Sequence, residues 1–357
     1  MRHGRMLKSS NDFINFPVRG SYVPVMFYYT TVKLGSLPRE FHVQIDTGSE
    51  FFIQLNSFDP KTSSTASNLS CSDQRCSIAP QALDQPTCSA HDNQCNFFQK
   101  YGDQTKPVMA TVIRFSQGNV SVISQLSALG VAPKAFAHCL KGDETGGGTF
   151  FLGTVDEPSI AYTKIDPSEY LLHISVNGDI VSNISGFFST PSERKTIIDS
   201  GTTYASIETI YIDSFIEAMT MTIMVIFCLR GIVGMQIKSH VVNTLGFDVF
   251  PQVGFHFDGG ASMVLEPKDY LINDTTIDDD QAWCIAFQEG DATILGDLFL
   301  KDKIVAYDLD GQRIGWAKYD CSKAVKVTAS TSSGTETVTI QPPITPSSST
   351  NATSPIS

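Results

Sequence analysis

Two carboxylates stand in the same local setting, one in each half of this chain. Asp46 lies in Val43-Gln44-Ile45-Asp46-Thr47-Gly48-Ser49, and Asp199 in Thr196-Ile197-Ile198-Asp199-Ser200-Gly201-Thr202. Each copy is a strand-like run that ends in Asp, a hydroxyl residue, Gly and a second hydroxyl residue. A strand ending in such a turn presents a carboxylate at its tip. Gly lets the backbone bend and pack closely, and the hydroxyls can fix the orientation of the carboxylate oxygens. If the two turns meet, two like charges face each other and cannot both ionise freely, so one proton is shared. Such a pair can take a proton from a bound water while hydrogen-bonding a carbonyl that the water attacks. Either motif alone would read as an Asp at a turn, where Asp is common. The duplication, one copy per half and each behind a strand, favours the paired reading.

The elements that must position these residues are mostly short strands. Residues 27–35 read as a strand closing in a glycine turn, and 41–45 alternate apolar and polar as a half-buried strand does. Residues 120–129 are spaced as a short amphipathic helix, and 150–153 and 161–165 as short strands. In the second half, 196–198 read as a strand and 204–219 as a helix. Two hairpins follow, one turning at Asp258-Gly259-Gly260 and one at Asp310-Gly311. The expected fold class is all-β with short helices. A chain of 357 residues accommodates two domains. The expected division is a flexible lead-in over 1–20, a first lobe over 21–160, a second lobe over 161–321, and a disordered Ser/Thr/Pro-rich tail over 322–357.

Composition narrows the partners. With 37 Asp+Glu against 25 Lys+Arg the net charge is -12, which argues against nucleic acid or an anionic membrane surface. It suits a protein working at low pH, where carboxylates protonate. Four of the eight cysteines, Cys71, Cys76, Cys88 and Cys95, share one polar stretch. Their C-x4-C and C-x6-C spacings are poor for a zinc site, although His91 is nearby, so a disulfide-stapled loop is expected, and no metal or other cofactor. Sequons at Asn68, Asn119, Asn183, Asn273 and Asn351 add weak support for a glycosylated, secretory-route protein. Residues 1–20 hold no apolar signal-peptide core, and the C-terminus holds no apolar tail for a lipid anchor. The apolar run at 218–229 is interrupted by Arg230 and is too short for a membrane span, so a buried helix or strand is expected.

These motifs place the chain among known proteins. The sequence resembles the plant pepsin-like aspartic proteases, nearest to the group related to nepenthesins. Beyond the two Asp motifs, the similarity lies in Arg2-His3-Gly4-Arg5 (like the end of a propeptide), 28–36, 58–74, 88–101, 121–141, 250–271, 283–287 and 293–321. The resemblance implies a two-lobed pepsin-like fold, an endopeptidase acting at acid pH on peptide or protein substrates, and a monomer in the secretory pathway, extracellular or vacuolar. It implies Asp46 and Asp199 as the catalytic pair, Thr47 and Ser200 as hydroxyls clasping the lobes, and Ser49 and Thr202 as partners of the outer carboxylate oxygens, with Gly48 and Gly201 completing the turns. Tyr101 of Tyr101-Gly102-Asp103 resembles the flap tyrosine that closes over substrate. Ile294-Leu295-Gly296 resembles the segment bracing the second Asp turn. The chain departs from the family after Ser49, where Glu50-Phe51-Phe52-Ile53-Gln54 lacks the usual tryptophan. It departs again after Asp103, where Gln104-Thr105-Lys106-Pro107 replaces a glycine-rich flap tip, and before Val120, where the first-lobe brace has no counterpart. The first lobe is therefore expected to be incomplete. The alternative reading is a catalytically impaired binding or inhibitor-like protein on the same fold.

Overall fold

The computed structural model describes residues 14–21, 27–48, 64, 70–72, 84–89, 93–99, 108–109, 121–165, 171–183, 196–220, 226–232, 235–243, 250–277, 280–331 and 334–342. Ser49 and Tyr101 lie outside them, as do residues 1–13, 50–63 and 343–357 and the stretches around the expected flap and first-lobe brace.

An eight-stranded antiparallel sheet joins the two halves of the chain. Its order is Ala161–Lys164, Arg313–Lys318, Lys303–Asp308, Ala135–Leu140, Gly148–Leu152, Asn15–Ser21, Phe27–Leu34, Arg39–Gln44. The middle of this sheet is dictated by composition. Ala135–Leu140 and Gly148–Leu152 are buried at every position, as suits strands covered on both faces. Phe136 stacks on Tyr307 at 4.4 Å between ring centroids. The strand Phe27–Leu34 hands off to Arg39–Gln44 through the expected glycine turn, Gly35 having φ 96. Tyr28, Phe41, Val43 and Ile45 face the core.

Asp199 sits on a second, smaller sheet. Thr196–Ile198 runs parallel to Thr293–Leu295, and Ala205–Glu208 runs parallel to Phe287–Gly290. The helix Thr209–Thr220 packs on this sheet through Tyr211, Phe215 and Met219, one stripe at i, i+4 and i+8. Phe215 meets Phe287 edge-on at 4.8 Å. A four-stranded sheet, Asp179–Asn183, Leu171–Val176, Val253–Phe257 and Ser262–Leu265, includes the hairpin expected around Asp258-Gly259-Gly260. Phe255 and Phe257 enter the same core. The helix expected over 120–129 is Val122–Ala128, where Ser121 caps it by accepting the Ser124 N–H at 3.0 Å.

Three expectations need correction. The lead-in is structured from Asn15, because Asn15–Ser21 pairs with both Phe27–Leu34 and Gly148–Leu152 and buries Val18. Residues 204–219 are not one helix: Ala205–Glu208 is a strand, all but its last residue buried, before the helix begins at Thr209. The segment after Ser322 is not disordered over its first part. Val325–Thr331 and Gly334–Ile340 form a hairpin that extends Thr154–Val155 into a three-stranded sheet. Its apolar side, Val325, Val327 and Ile340, enters a core with Phe151, Ile304 and the disulfide Cys139–Cys321. Ser/Thr-rich composition hid it, although alternation of small polar and β-branched residues is also a strand pattern. Of the apolar run at 218–229, residues 218–220 end the helix Thr209–Thr220 and residues 226–229 lie in the strand Ile226–Ile232, while residues 221–225 lie outside the described residues. Among the described residues no helix is long and apolar enough to cross a membrane. In the cysteine-rich region, Cys88 and Cys95 are register partners in a hairpin, and Cys71 is disulfide-bonded.

His138, in the middle of the central sheet, is fully buried, and neither ring nitrogen has a hydrogen-bond partner. Burial pushes its pKa down to about 3. The folded protein thus refuses a proton that the unfolded chain accepts below about pH 6.5. Stability from this site is present above that pH and is lost as pH falls toward 3.

Two predictions follow from this packing. Val327→Ala should lower stability by roughly 2 kcal/mol in denaturant titration, whereas Lys326→Ala on the exposed side of the same strand should stay within about 0.5 kcal/mol. His138→Phe should shrink the stability lost between pH 7 and pH 4 by about 3 kcal/mol. Equal pH dependence in the two proteins would refute that account of His138.

Candidate active site

The two Asp turns meet where the two halves join. Asp46 is delivered by the edge strand Arg39–Gln44, with the Ile45 N–H donating to the Tyr28 carbonyl at 3.0 Å. Asp199 follows Thr196–Ile198, and its own N–H donates to the Leu295 carbonyl at 3.0 Å. The expected brace, Ile294-Leu295-Gly296, is thus in register beside the strand that carries Asp199. A Cβ on Gly296 would stand 2.3 Å from the Tyr204 carbonyl oxygen and 2.5 Å from that of Thr202, so only glycine permits this approach.

The carboxylates converge on one donor. The Gly48 N–H lies 3.1 Å from Asp46 Oδ1 and 2.9 Å from Asp199 Oδ1. Asp199 also accepts from the Gly201 N–H at 2.7 Å and from the Thr202 hydroxyl at 2.5 Å. Two oxygens of like charge within reach of one N–H repel unless a proton is shared or donors compensate. The glycines are needed for this closeness. A Cβ at Gly48 would fall 2.2 Å from Asp199 Cγ, and one at Gly201 would fall 2.5 Å from Asp46 Cγ. Each glycine leaves empty the space that the opposite carboxyl group fills.

A lattice of neutral hydrogen bonds holds the turns together beneath the carboxylates. The Thr47 hydroxyl donates to the Ile198 carbonyl at 3.1 Å and accepts from the Ser200 N–H at 3.0 Å. The Ser200 hydroxyl, fully buried, donates to the Ile45 carbonyl at 2.8 Å. Tyr307 adds its phenol, 3.0 Å from Thr47 Oγ1 and 3.3 Å from the Ile198 carbonyl. Thr47 Oγ1 therefore uses its hydrogen and both lone pairs. Burial holds the Tyr307 phenol far above its ordinary range, and the nearby Asp199 and Asp46 push the same way, against the Thr47 bond; it stays a neutral donor. Gln44 ties the halves once more, its amide donating to the Gly201 carbonyl at 3.0 Å.

Asp46, Thr47, Gly48, Asp199, Ser200, Gly201 and Thr202 are thus brought into one cluster. Three contributors escaped the sequence reading. Tyr307 and Gln44 lie in ordinary-looking strands, and nothing in their local pattern marks them. Asp297, directly after Gly296, is 1% exposed with no hydrogen-bond partner for either carboxylate oxygen. Burial raises its pKa well above the carboxylate range, and the charge of Asp199 adds to the effect. An Asp in an otherwise apolar run, Leu295-Gly296-Asp297-Leu298-Phe299-Leu300, was the available signal.

Known proteins resemble this chain in sequence and in fold. A family model described as eukaryotic aspartyl protease matches residues 109–319, and one described as xylanase inhibitor N-terminal matches residues 28–114. Aspartic proteinase 36 of Arabidopsis thaliana is 31% identical over 91% of this chain and 80% of its own length, and Aspartic proteinase 39 is 32% identical over 91% and 81%. Those alignments run over 411 and 400 positions, more than the 357 residues here, so the relatives carry internal segments without a counterpart in this chain. Among solved structures, conglutin gamma from lupine seeds superposes with a TM-score of 0.67 at 13% identity, covering 87% of this chain and 95% of its own. Basic 7S globulin from soybean gives 0.64 at 14% identity, with coverages of 85% and 96%. At those identities the likeness speaks for the fold.

Thr47→Val removes the hub of the clasp, strands the Ser200 N–H and leaves the Tyr307 hydroxyl only its longer bond to the Ile198 carbonyl. It should cost roughly 2–3 kcal/mol of stability in thermal or chemical unfolding, while Thr31→Val on the exposed sheet surface should cost far less.

Proposed function

The chain belongs to the eukaryotic aspartyl proteases, in their plant pepsin-like branch, and we propose that it is an endopeptidase whose Asp46 and Asp199 activate a water at acid pH. The observation that carries this reading is the single Gly48 N–H reached by both carboxylates. At acid pH the pair holds one proton. The ionised carboxylate takes a proton from the water as it attacks the scissile carbonyl, and the protonated one donates a hydrogen bond to that carbonyl oxygen. The hydrogen bonds from Gly48, Gly201 and Thr202 keep the oxygens oriented through the cycle. Ser49 is the proposed partner of the outer Asp46 oxygen and Tyr101 the proposed flap residue, both on the family resemblance. The substrates proposed are peptide bonds between bulky apolar residues. A division into lobes at residues 21–160 and 161–321 is consistent with one Asp motif in each. The disulfide Cys139–Cys321 supports an oxidising, secretory-route location, extracellular or vacuolar, with glycosylation at accessible sequons.

A second reading has one specific observation behind it, the match of residues 28–114 to the xylanase inhibitor N-terminal model. In that reading the fold binds a protein or peptide without cleaving it, and the internal segments lacking here are those that would complete catalysis. Digestion of a denatured protein between about pH 3 and pH 6, where a proton-sharing pair is competent, separates the two. Pepstatin-sensitive cleavage that falls by about 10²–10⁴-fold in Asp46→Asn and in Asp199→Asn is expected. Folded wild-type protein that captures an immobilised peptide yet cleaves nothing in that range would establish the binding reading instead.

A further inference from the structure

The two Asp turns match in sequence but not in the partners of their hydroxyl residues. Among the described residues the Ser200 hydroxyl makes one hydrogen bond, to the Ile45 carbonyl. The Thr47 hydroxyl makes three: it donates to the Ile198 carbonyl, and it accepts from the Ser200 N–H and from the Tyr307 phenol. Ile198 and Ser200 are the residues on either side of Asp199, so Thr47 grips the backbone both before and after that carboxylate. Thr47 itself lies between Asp46 and Gly48, whose N–H reaches both carboxylates. The spacing of the pair therefore depends on where one hydroxyl oxygen is held.

Tyr307 is what makes the two turns unequal. It reaches Thr47 from 260 positions further along the chain, with its hydroxyl 3.0 Å from Thr47 Oγ1. The same hydroxyl lies 3.3 Å from the Ile198 carbonyl, in the peptide group that leads into Asp199. Its ring is buried and cannot swing. Phe136, its register partner on the strand Ala135–Leu140, stacks on it at 4.4 Å between centroids and 8° between planes. A threonine hydroxyl turns about a single bond, whereas a phenol fixed by its ring presents its oxygen at one place. With the phenol and the Ser200 N–H on its two lone pairs, the Thr47 hydroxyl has its hydrogen left for the Ile198 carbonyl and no other direction to turn. Without the phenol one lone pair is unfilled and the hydroxyl gains that freedom.

We propose that Tyr307 is a positioning residue for the reaction: its phenol fixes the Thr47 hydroxyl against the backbone on either side of Asp199, and so sets how closely the Asp46 and Asp199 carboxylates approach. It makes no hydrogen bond to either carboxylate among the described residues and acts through Thr47. Such a role leaves a recognisable mark. Two like charges held close titrate in two well-separated steps, and two that drift apart titrate more nearly as independent groups. The same drift costs rate, because proton transfer and attack on the carbonyl need fixed geometry. The inference rests on the reading of Asp46 and Asp199 as the catalytic pair.

The test compares wild type with Tyr307→Phe and Tyr319→Phe, by kinetics and by ¹³C NMR titration of aspartate-labelled protein. Tyr307→Phe keeps the ring on Phe136 and removes only the hydroxyl. Tyr319→Phe also removes one hydroxyl, which donates to the Ala324 carbonyl just before the C-terminal hairpin, and it controls for a general loss of stability. In Tyr307→Phe, kcat should fall about tenfold with KM unchanged, and the two titration steps of the pair should move together by about half a pH unit or more. Tyr319→Phe should leave kcat and both steps at their wild-type positions. If Tyr307→Phe does not fold, Phe136→Leu, which frees the ring and keeps the hydroxyl, should draw the steps together in the same direction, and unchanged steps there would overturn the proposal. A folded Tyr307→Phe protein with a lower melting temperature, an unchanged kcat and unchanged steps would overturn it equally, because that is the mark of a merely structural hydroxyl. The steps are read without turnover, so wild-type protein lacking peptidase activity would count against the proposed function while their separation still decides the role of Tyr307.

Discussion

Two carboxylates must be held within reach of one N–H although their charges repel, and much of the structure around the site answers that constraint. Glycine at positions 48 and 201 makes the approach sterically possible, because each opposite carboxyl group occupies the volume of the absent side chain. Donors aimed at Asp199 from Gly48, Gly201 and Thr202 offset part of the repulsion. The force that keeps the turns from separating comes from neutral groups below: Thr47, Ser200 and Tyr307, each buried or half-buried and each satisfied. Neutral hydrogen bonds suit this task, since their strength does not vary with pH across the acid range in which the carboxylates titrate.

The central sheet gives that clasp its rigidity. Tyr307 reaches Thr47 from Lys303–Asp308, a strand locked between Ala135–Leu140 and Arg313–Lys318 and stacked through Phe136. The C-terminal hairpin covers the opposite face of the same strands, packing on Ala137, Phe151, Ile304 and Ala306, and Cys139–Cys321 joins the hairpin's start to them. Packing on one face of the strand Lys303–Asp308 is therefore continuous with the orientation of the phenol on the other. In a close-packed interior such continuity transmits small displacements rather than absorbing them.

Buried ionisable groups pull the fold's pH response in opposite directions. Asp297 holds a proton more tightly when folded, so its contribution is present below the usual carboxylate range and is lost as pH rises through its elevated pKa. His138 resists a proton when folded, and its contribution fades as pH falls from about 6.5 toward 3. A protein with both is most comfortable in the window between, mildly acidic rather than extreme.

Much of this was legible from local pattern. The duplicated Asp-hydroxyl-Gly-hydroxyl turns, the strands that carry them, the two glycine-turn hairpins and the Ser121-capped helix follow from side-chain period and turn chemistry, which act over a few residues. Where the reading failed, a local pattern was overruled from a distance. Residues 205–208 have helical neighbours but pair with Phe287–Gly290, about eighty residues on. The lead-in and the Ser/Thr-rich hairpin look unstructured alone and become strands only because a sheet edge awaits them. The sequence by itself determined that two carboxylates stand on matching turns, one in each half of the chain. Only the tertiary structure decided that Gly48 serves both and that Tyr307 completes the clasp. Those depend on distances between residues 150 to 260 positions apart, which no local rule encodes and which burial and hydrogen-bond satisfaction settle together.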